Sequence, residues 1–224
     1  MVDVVTVNNR HNFRPTLEQM HRDRKTIFVD KLKWDVPVVD GEYEIDQFDN
    51  DDAIYLLLRE DDGRIIGGHR LLPTTKPHLF TELFSDMCNV RGLRSGERIY
   101  ELTRTCIDKE TIGNDRELWA LKHVMVGLFE FCVRAGIEQL TLLTPLSTLY
   151  RCLLTGVEVK PLGLPREIDG VPQAAVAFIT SHATLDNARN FLGIKENIVR
   201  YIGVSGGEML ISEIIGSTKR SVAA

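Results

Sequence analysis

Two apolar runs, residues 53–60 and Arg64 to Leu72, meet at Asp61-Asp62-Gly63, and this commits the middle of the first half to antiparallel pairing. Glycine at such a turn supplies the positive φ that a tight hairpin demands, so the two runs read as paired strands. The second half has another rhythm. Residues 97–107, ERIYELTRTCI, alternate as a strand, and residues 115–135 repeat apolar side chains at helical spacing, with Asp115 as the expected cap and Gly136 as the stop. Beyond them, Glu138 to Thr144 reads as a strand, Leu146 to Leu154 as a helix, Val157 to Pro161 and Ala174 to Thr180 as strands, and Leu185 to Leu192 as a helix. Ahead of the hairpin, Thr16-Leu17-Glu18-Gln19 has the spacing of a capping box, opening a helix whose apolar stripe is Leu17, Met20, Ile27 and Phe28. Arg24 falls on that stripe. Pro77 starts a short helix through Met87. Hairpins followed by strand-helix-strand units predict an α/β (α+β) fold, a mixed central β-sheet flanked by helices. At 224 residues with 43% hydrophobic content, the chain reads as a single domain, residues 1–224.

A formal charge of −5 and a pI near 5.7 give no basic field, so the expectation is no nucleic-acid partner. Cys88, Cys106, Cys132 and Cys152 form no CxxC pair, and MVDVVTVNNRHNF has neither a basic n-region nor an apolar h-region. No apolar run approaches the roughly 18 residues of a membrane helix. The sequence thus predicts a soluble, reduced, cytoplasmic protein with no membrane span. The six histidines, His69 and His123 among them, lack metal-ligand spacing and read as surface or supporting side chains, so no metal is expected. Cys106 reads as packing. Gly67 and Gly68 permit close backbone approach or mark a hairpin irregularity.

Seven of the thirteen residues from Asp40 to Asp52 are acidic, and no Lys or Arg occurs between Lys33 and Arg59. Counting from Asp46 or Asp49 gives no EF-hand loop. Arginines supply the counterweight: Arg24 lies on an apolar helix face, Arg70 in a hairpin strand, and Arg104 inside ELTRTCI. Buried arginines need carboxylates. Acids, arginines and the aromatic pair Phe28 and Trp34 can therefore line one polar cavity suited to a ligand with charges of both signs. Asp40, Glu42, Glu44, Asp51 and Asp52 are expected to face water.

Arg24, Phe28, Trp34, Asp46, Asp49, Arg70, Glu101 and Arg104 follow the order and spacing of a known pattern, as do the segments IFVDKLKW, YEIDQFDNDDAIYLL, IIGGHRLLPTT and ELTR. Over about residues 10 to 195 the chain resembles the acyl-homoserine-lactone synthases, the LuxI-type autoinducer synthases. The resemblance implies a GNAT-like fold and an acyltransferase that makes N-acyl-L-homoserine lactone from S-adenosylmethionine and an acyl thioester, releasing methylthioadenosine. S-adenosylmethionine is then a substrate, and no cofactor is expected. Its site would be Arg24, Phe28, Trp34, Asp46, Asp49, Arg70 and Arg104, with Asp46 and Asp49 either facing the sulfonium and amine or orienting the arginines. Glu101 would be the base, directly or through a water positioned by Thr103. Glu101 and Thr103 share one strand face, and Arg104 points to the other unless a bulge intervenes. The competing role for Glu101 is an ion pair with Arg24 or Arg70. The acyl pocket would draw on Met125, Phe129, Leu142, Thr144 and Leu149, any of which can equally be core.

DKETIGNDRELW, at the place of the usual diphosphate loop, has a single glycine, which favours an acyl-acyl-carrier protein as donor over acyl-CoA. Arg151, Lys160 and Arg166 are candidates for its docking patch. The portion up to about residue 52 is expected to be mobile without S-adenosylmethionine, and about 195–224 to form a C-terminal tail. Two other readings stay open, a generic GNAT N-acetyltransferase and a non-catalytic small-molecule sensor.

Overall fold

The computed structural model describes residues 1–108, 113–203, 206–209, 211 and 214. Its strands are β1 (Val2–Val5), β2 (Val38–Val39), β3 (Tyr43–Glu44), β4 (Ile54–Arg59), β5 (Ile65–Pro73), β6 (Ile99–Ile107), β7 (Gln139–Pro145), β8 (Glu158–Pro161), β9 (Arg166–Ile168), β10 (Val171–Ile179), β11 (Val199–Ile202) and β12 (Glu208–Met209). The α-helices are α1 (Arg14–Arg24), α2 (Asn114–Ala135), α3 (Leu146–Leu154) and α4 (His182–Leu192). Ten strands form one mixed sheet in the order β12-β11-β1-β4-β5-β6-β7-β10-β8, with β9 also on β10, and β2 and β3 make a separate hairpin. Only β1–β11 and β6–β7 run parallel among the described pairs.

Each face of the sheet is covered. Helices α2, α3 and α4 lie on one side, where Leu56, Leu58, Leu102, Val124, Phe131, Phe178 and Leu185 form the main core. On the other side α1 and the 3₁₀ turn before it bring Met20 and Phe13 against Val5, Tyr55 and Leu57, and a further cluster joins Phe80 and Met87 to Ala175 and Ala177.

The structure departs from the expected elements where side chains have tertiary uses. Thr16 does not cap a helix, because Arg10–Phe13 already form a 3₁₀ turn and α1 begins at Arg14 with Pro15 in its first turn. Gln19 instead accepts from the Ile65 amide at 3.3 Å and donates to its carbonyl at 3.2 Å, fixing α1 to β5. Helix α2 starts one residue before Asp115, with Gly113 at the cap position, and ends as expected at Gly136 in the left-handed region. Helix α4 starts at His182, three residues earlier than read, with Ser181 accepting from the Thr184 amide at 3.1 Å. The helix read from Pro77 to Met87 is two short turns, Phe80–Phe84 and Ser85–Cys88. β1 and β11 went unread. β1 is buried on both faces and so shows no alternation. The stretch from about residue 195, read as a tail, supplies β11 beside β1, and the greater part of residues 204–224 lies outside the described residues.

Two irregularities shape the middle of the sheet. Between β5 and β6 the pairs Gly68↔Cys106 and Arg70↔Thr103 leave an extra residue on β6, a bulge at which Arg104 takes φ +49°. A side chain at Gly68 would meet the Leu56 carbonyl at 2.5 Å, so this glycine serves both roles the sequence allowed. Secondly, β6 and β7 pair only from Ile99↔Gln139 to Glu101↔Thr141, although β6 continues to Ile107 and β7 to Pro145. The sheet opens between them immediately after Glu101. No helix among the described residues is long and apolar enough to cross a membrane.

Candidate active site

Three arginines from three elements converge on three carboxylates of the acidic segment. Arg24, closing α1, binds Asp49 through both terminal nitrogens, at 2.7 and 2.9 Å, and Glu44 through Nε at 2.5 Å. Arg70 grips Asp46 at 2.6 and 2.9 Å, reaches Asp49 at 3.0 Å, and donates from Nε to Thr103 Oγ1 at 3.0 Å. Arg104 meets Glu44 Oε1 at 2.9 Å and Asp46 Oδ2 at 2.8 Å. Such bidentate, desolvated pairs hold position well, and removing one member strands a buried charge. Burial works against the Asp49 charge, but Arg24 and Arg70 hold the carboxyl well below the usual carboxylate range.

Glu44 corrects the sequence reading. Expected to face water, it is fully buried and bridges Arg24 to Arg104. Its neighbours are equally acidic, so the run hides which carboxylates point inward; the signal available was that three buried arginines need more partners than Asp46 and Asp49. Asp40, Glu42 and Asp51 are exposed and Asp52 half-buried. Asp46 and Asp49 are both engaged by arginines.

The wide turn Lys25–Lys31 that continues α1 carries Phe28 into the interior, where Trp34 stacks on it at 4.7 Å and 12°. The Arg104 guanidinium lies 5.6 Å from the Phe28 ring. Trp34 keeps 38% of its surface exposed. Beneath, between α1 and the β5–β6 bulge, is a cavity of about 20 Å³ lined by Arg24, Ile27, Tyr55, Arg104 and Cys106, room for about one water.

Glu101 lies at the point where the sheet opens. Its carboxylate accepts from the Leu79 amide at 2.7 Å and the Phe80 amide at 2.9 Å. Neither the Arg24 nor the Arg70 ion pair forms, so the competing sequence role is corrected: two backbone amides hold the group instead. Burial pushes its pKa up to about 7, against those amides and the nearby charge of Arg70. Nothing in the pattern of residues 78–80 signals this cradle. Thr103 shares the face of Glu101 and bonds Arg70. The bulge is what turns Arg104 to that face as well, and it is pinned by His69, buried rather than superficial, which bonds Thr105 Oγ1 at 2.9 Å.

The residues read as an acyl pocket are on the opposite face. Phe129 and Leu142 belong to the main core, Met125 and Leu149 pack at its margin, and Thr144 is buried opposite Ala174. The pairing of β6 and β7 ends between the two groups, after Glu101↔Thr141. Of the basic residues read as a docking patch, Arg166 pairs with Asp86 at 2.5 Å and Lys160 with Glu158 at 3.3 Å, while Arg151 is exposed. Residues 109–112 of the segment read as a diphosphate loop lie outside the described residues.

The autoinducer synthase family model matches residues 8–182. The isovaleryl-homoserine lactone synthase of Bradyrhizobium diazoefficiens is 34% identical over 195 residues, 87% of this chain and 86% of that protein. Among solved structures, the CoA-dependent acyl-homoserine lactone synthase BjaI with SAM and isopentyl-CoA superposes with a TM-score of 0.84 at 31% identity, covering 97% of this chain and 99% of that one. MesI, another CoA-dependent acyl-homoserine lactone synthase, gives 0.81 at 29% identity over 89% of this chain and 98% of that one. The likeness reaches, as fold alone, to FeeM, an N-acyl amino acid synthase from uncultured soil microbes, at a TM-score of 0.51, 10% identity, and 80% and 95% of the two chains. The GNAT-like mixed sheet expected from the sequence is the fold observed.

Proposed function

The chain belongs to the autoinducer synthase family, and we propose on that premise that it joins an acyl group to the amine of S-adenosylmethionine and closes the lactone of an N-acyl-L-homoserine. The observation that carries this reading is a carboxyl with a pKa near 7, Glu101, held at the mouth of a divided sheet with a charged, aromatic pocket on one side and apolar candidates on the other.

S-adenosylmethionine enters beside Trp34 and Phe28. The sulfonium or adenosyl group lies against these rings, a cation–π contact worth about 0.5–2 kcal/mol, and Arg104 receives the α-carboxylate while Arg24, Arg70, Glu44, Asp46 and Asp49 hold it in direction. The acyl thioester threads between β6 and β7 with its chain toward Met125, Phe129, Leu142, Thr144 and Leu149. Glu101, directly or through a water steadied by Thr103, takes the proton of the amine as nitrogen attacks the thioester carbonyl, and the thiolate leaves. The methionine carboxylate oxygen then attacks the γ-carbon, the carbon–sulfur bond breaks, and neutral methylthioadenosine departs. Neither step changes an oxidation state, so the chemistry calls for no redox cofactor.

We take acyl-CoA as the donor. The single glycine of residues 108–119 favours a carrier protein, but BjaI and MesI are CoA-dependent synthases, and two of the three cations assigned to carrier docking are engaged in surface ion pairs. The protein works as one domain in the cytoplasm, where both substrates are made. A generic N-acetyltransferase has no need of three arginines locked to three acids, and a sensor would release no methylthioadenosine. Expression in a host that makes no lactone, followed by mass spectrometry of the culture, tests the reading: an acyl-homoserine lactone absent from the Glu101→Gln culture is expected, and no lactone from the parental chain would contradict it.

A further inference from the structure

We infer that His69 is a positioning residue that sets the direction of Arg104, and through it the affinity for the carboxylate end of S-adenosylmethionine; this rests on the functional reading above. His69 is buried between β5 and α2 with its two ring nitrogens engaged, Nδ1 2.9 Å from Thr105 Oγ1 and Nε2 3.2 Å from the Val124 carbonyl. A carbonyl only accepts, so Nε2 carries the proton and Nδ1 accepts from the Thr105 hydroxyl. Burial lowers the imidazole pKa to about 4, so both bonds persist across the neutral range.

His69 sits where the register of β6 slips. The pairs on either side are Gly68↔Cys106 and Arg70↔Thr103, so this one β5 residue faces two, Arg104 and Thr105. Arg104 takes there the left-handed conformation that glycine usually supplies, a strain that its surroundings must offset. Glu44 and Asp46 hold the guanidinium end, and His69, through Thr105, holds the backbone end. With regular alternation, Arg104 would follow Leu102 and point into the core beneath α2, away from both acids.

The test measures S-adenosylmethionine binding by calorimetry, beside its decarboxylated analogue, which keeps the sulfonium, adenosyl group and amine. Thr105→Val removes one hydroxyl from an exposed residue while keeping the branched shape of the side chain. It should bind S-adenosylmethionine about tenfold more weakly, the scale of one lost hydrogen bond, and the analogue as the parent does. His69→Leu should show the same split, and His69→Asn, whose side-chain oxygen can still accept from Thr105, should restore affinity to within about twofold. Equal weakening toward both ligands, or no change in Thr105→Val, overturns the inference alone. A parental protein that binds no S-adenosylmethionine overturns the functional reading and this inference together.

Discussion

At the scale of single residues, the site separates two carboxylate roles by environment. Glu44 is encased by guanidinium groups and fixes geometry; Glu101 is held by two backbone amides with no ion pair, and burial pushes its pKa up to about 7. A carboxyl whose folded pKa is raised is a base only above that value, so kcat/KM should rise as pH passes through about 7 and fall away below it. The Glu101→Gln protein should turn over about 10²- to 10⁴-fold more slowly and lack that acidic limb, while still binding S-adenosylmethionine. A pH–rate profile unchanged by the substitution assigns the proton to another group. The same shift has the opposite sign for stability: the Glu101 contribution is complete below the unfolded carboxyl value and lost as pH rises through about 7. Glu44→Gln should lower unfolding free energy by about 3–5 kcal/mol, since Arg24 and Arg104 would lose a buried partner. Glu42→Gln, whose bridge to Arg22 is exposed on both sides, should scarcely alter it. Denaturant melts of the two variants check the contrast. The sequence made Asp46, Asp49 and the arginines legible because buried arginines demand acids. It could not identify Glu44 in a run of like residues.

Among elements, the segment from the end of α1 to β3 is the least secured part of the site. Leu32, Trp34, Val38 and Val39 are exposed, and the β2–β3 hairpin rests on two residue pairs. The cavity beside Arg24 has room for about one water, so a nucleoside-bearing ligand requires this segment to move. Hydrogen exchange across residues 30–50 should slow on adding S-adenosylmethionine, most at 31–40; equal protection with and without ligand would move the pocket elsewhere. Elements with a strong period were readable in the sequence: the β4–β5 hairpin, β6, α2 with its glycine stop, and α3 to the residue. β1 and β11 were not, being short and paired across nearly the whole length of the chain. The Leu79–Phe80 cradle is a backbone feature and leaves no trace in side-chain pattern.

On the scale of the whole molecule, the two candidate residue sets lie on opposite faces of one sheet. The charged pocket lies under α1, the apolar candidates under α2 and α3, and the departure of β6 from β7 joins them at Glu101. Sequence reasoning reached the mixed sheet but not the placement of the two candidate residue sets on its opposite faces, because strand order and the bulge at Arg104 depend on pairings distant in the chain. Under the proposed mechanism, amine and thioester would meet where the sheet opens, beside Glu101. Incubating the purified protein with S-adenosylmethionine and a series of acyl-CoA donors, and quantifying both products by mass spectrometry, tests that account most directly. Acyl-homoserine lactone and methylthioadenosine should appear in equal amounts, only when both substrates are present. Acylated product without methylthioadenosine, or methylthioadenosine formed without a donor, would contradict it.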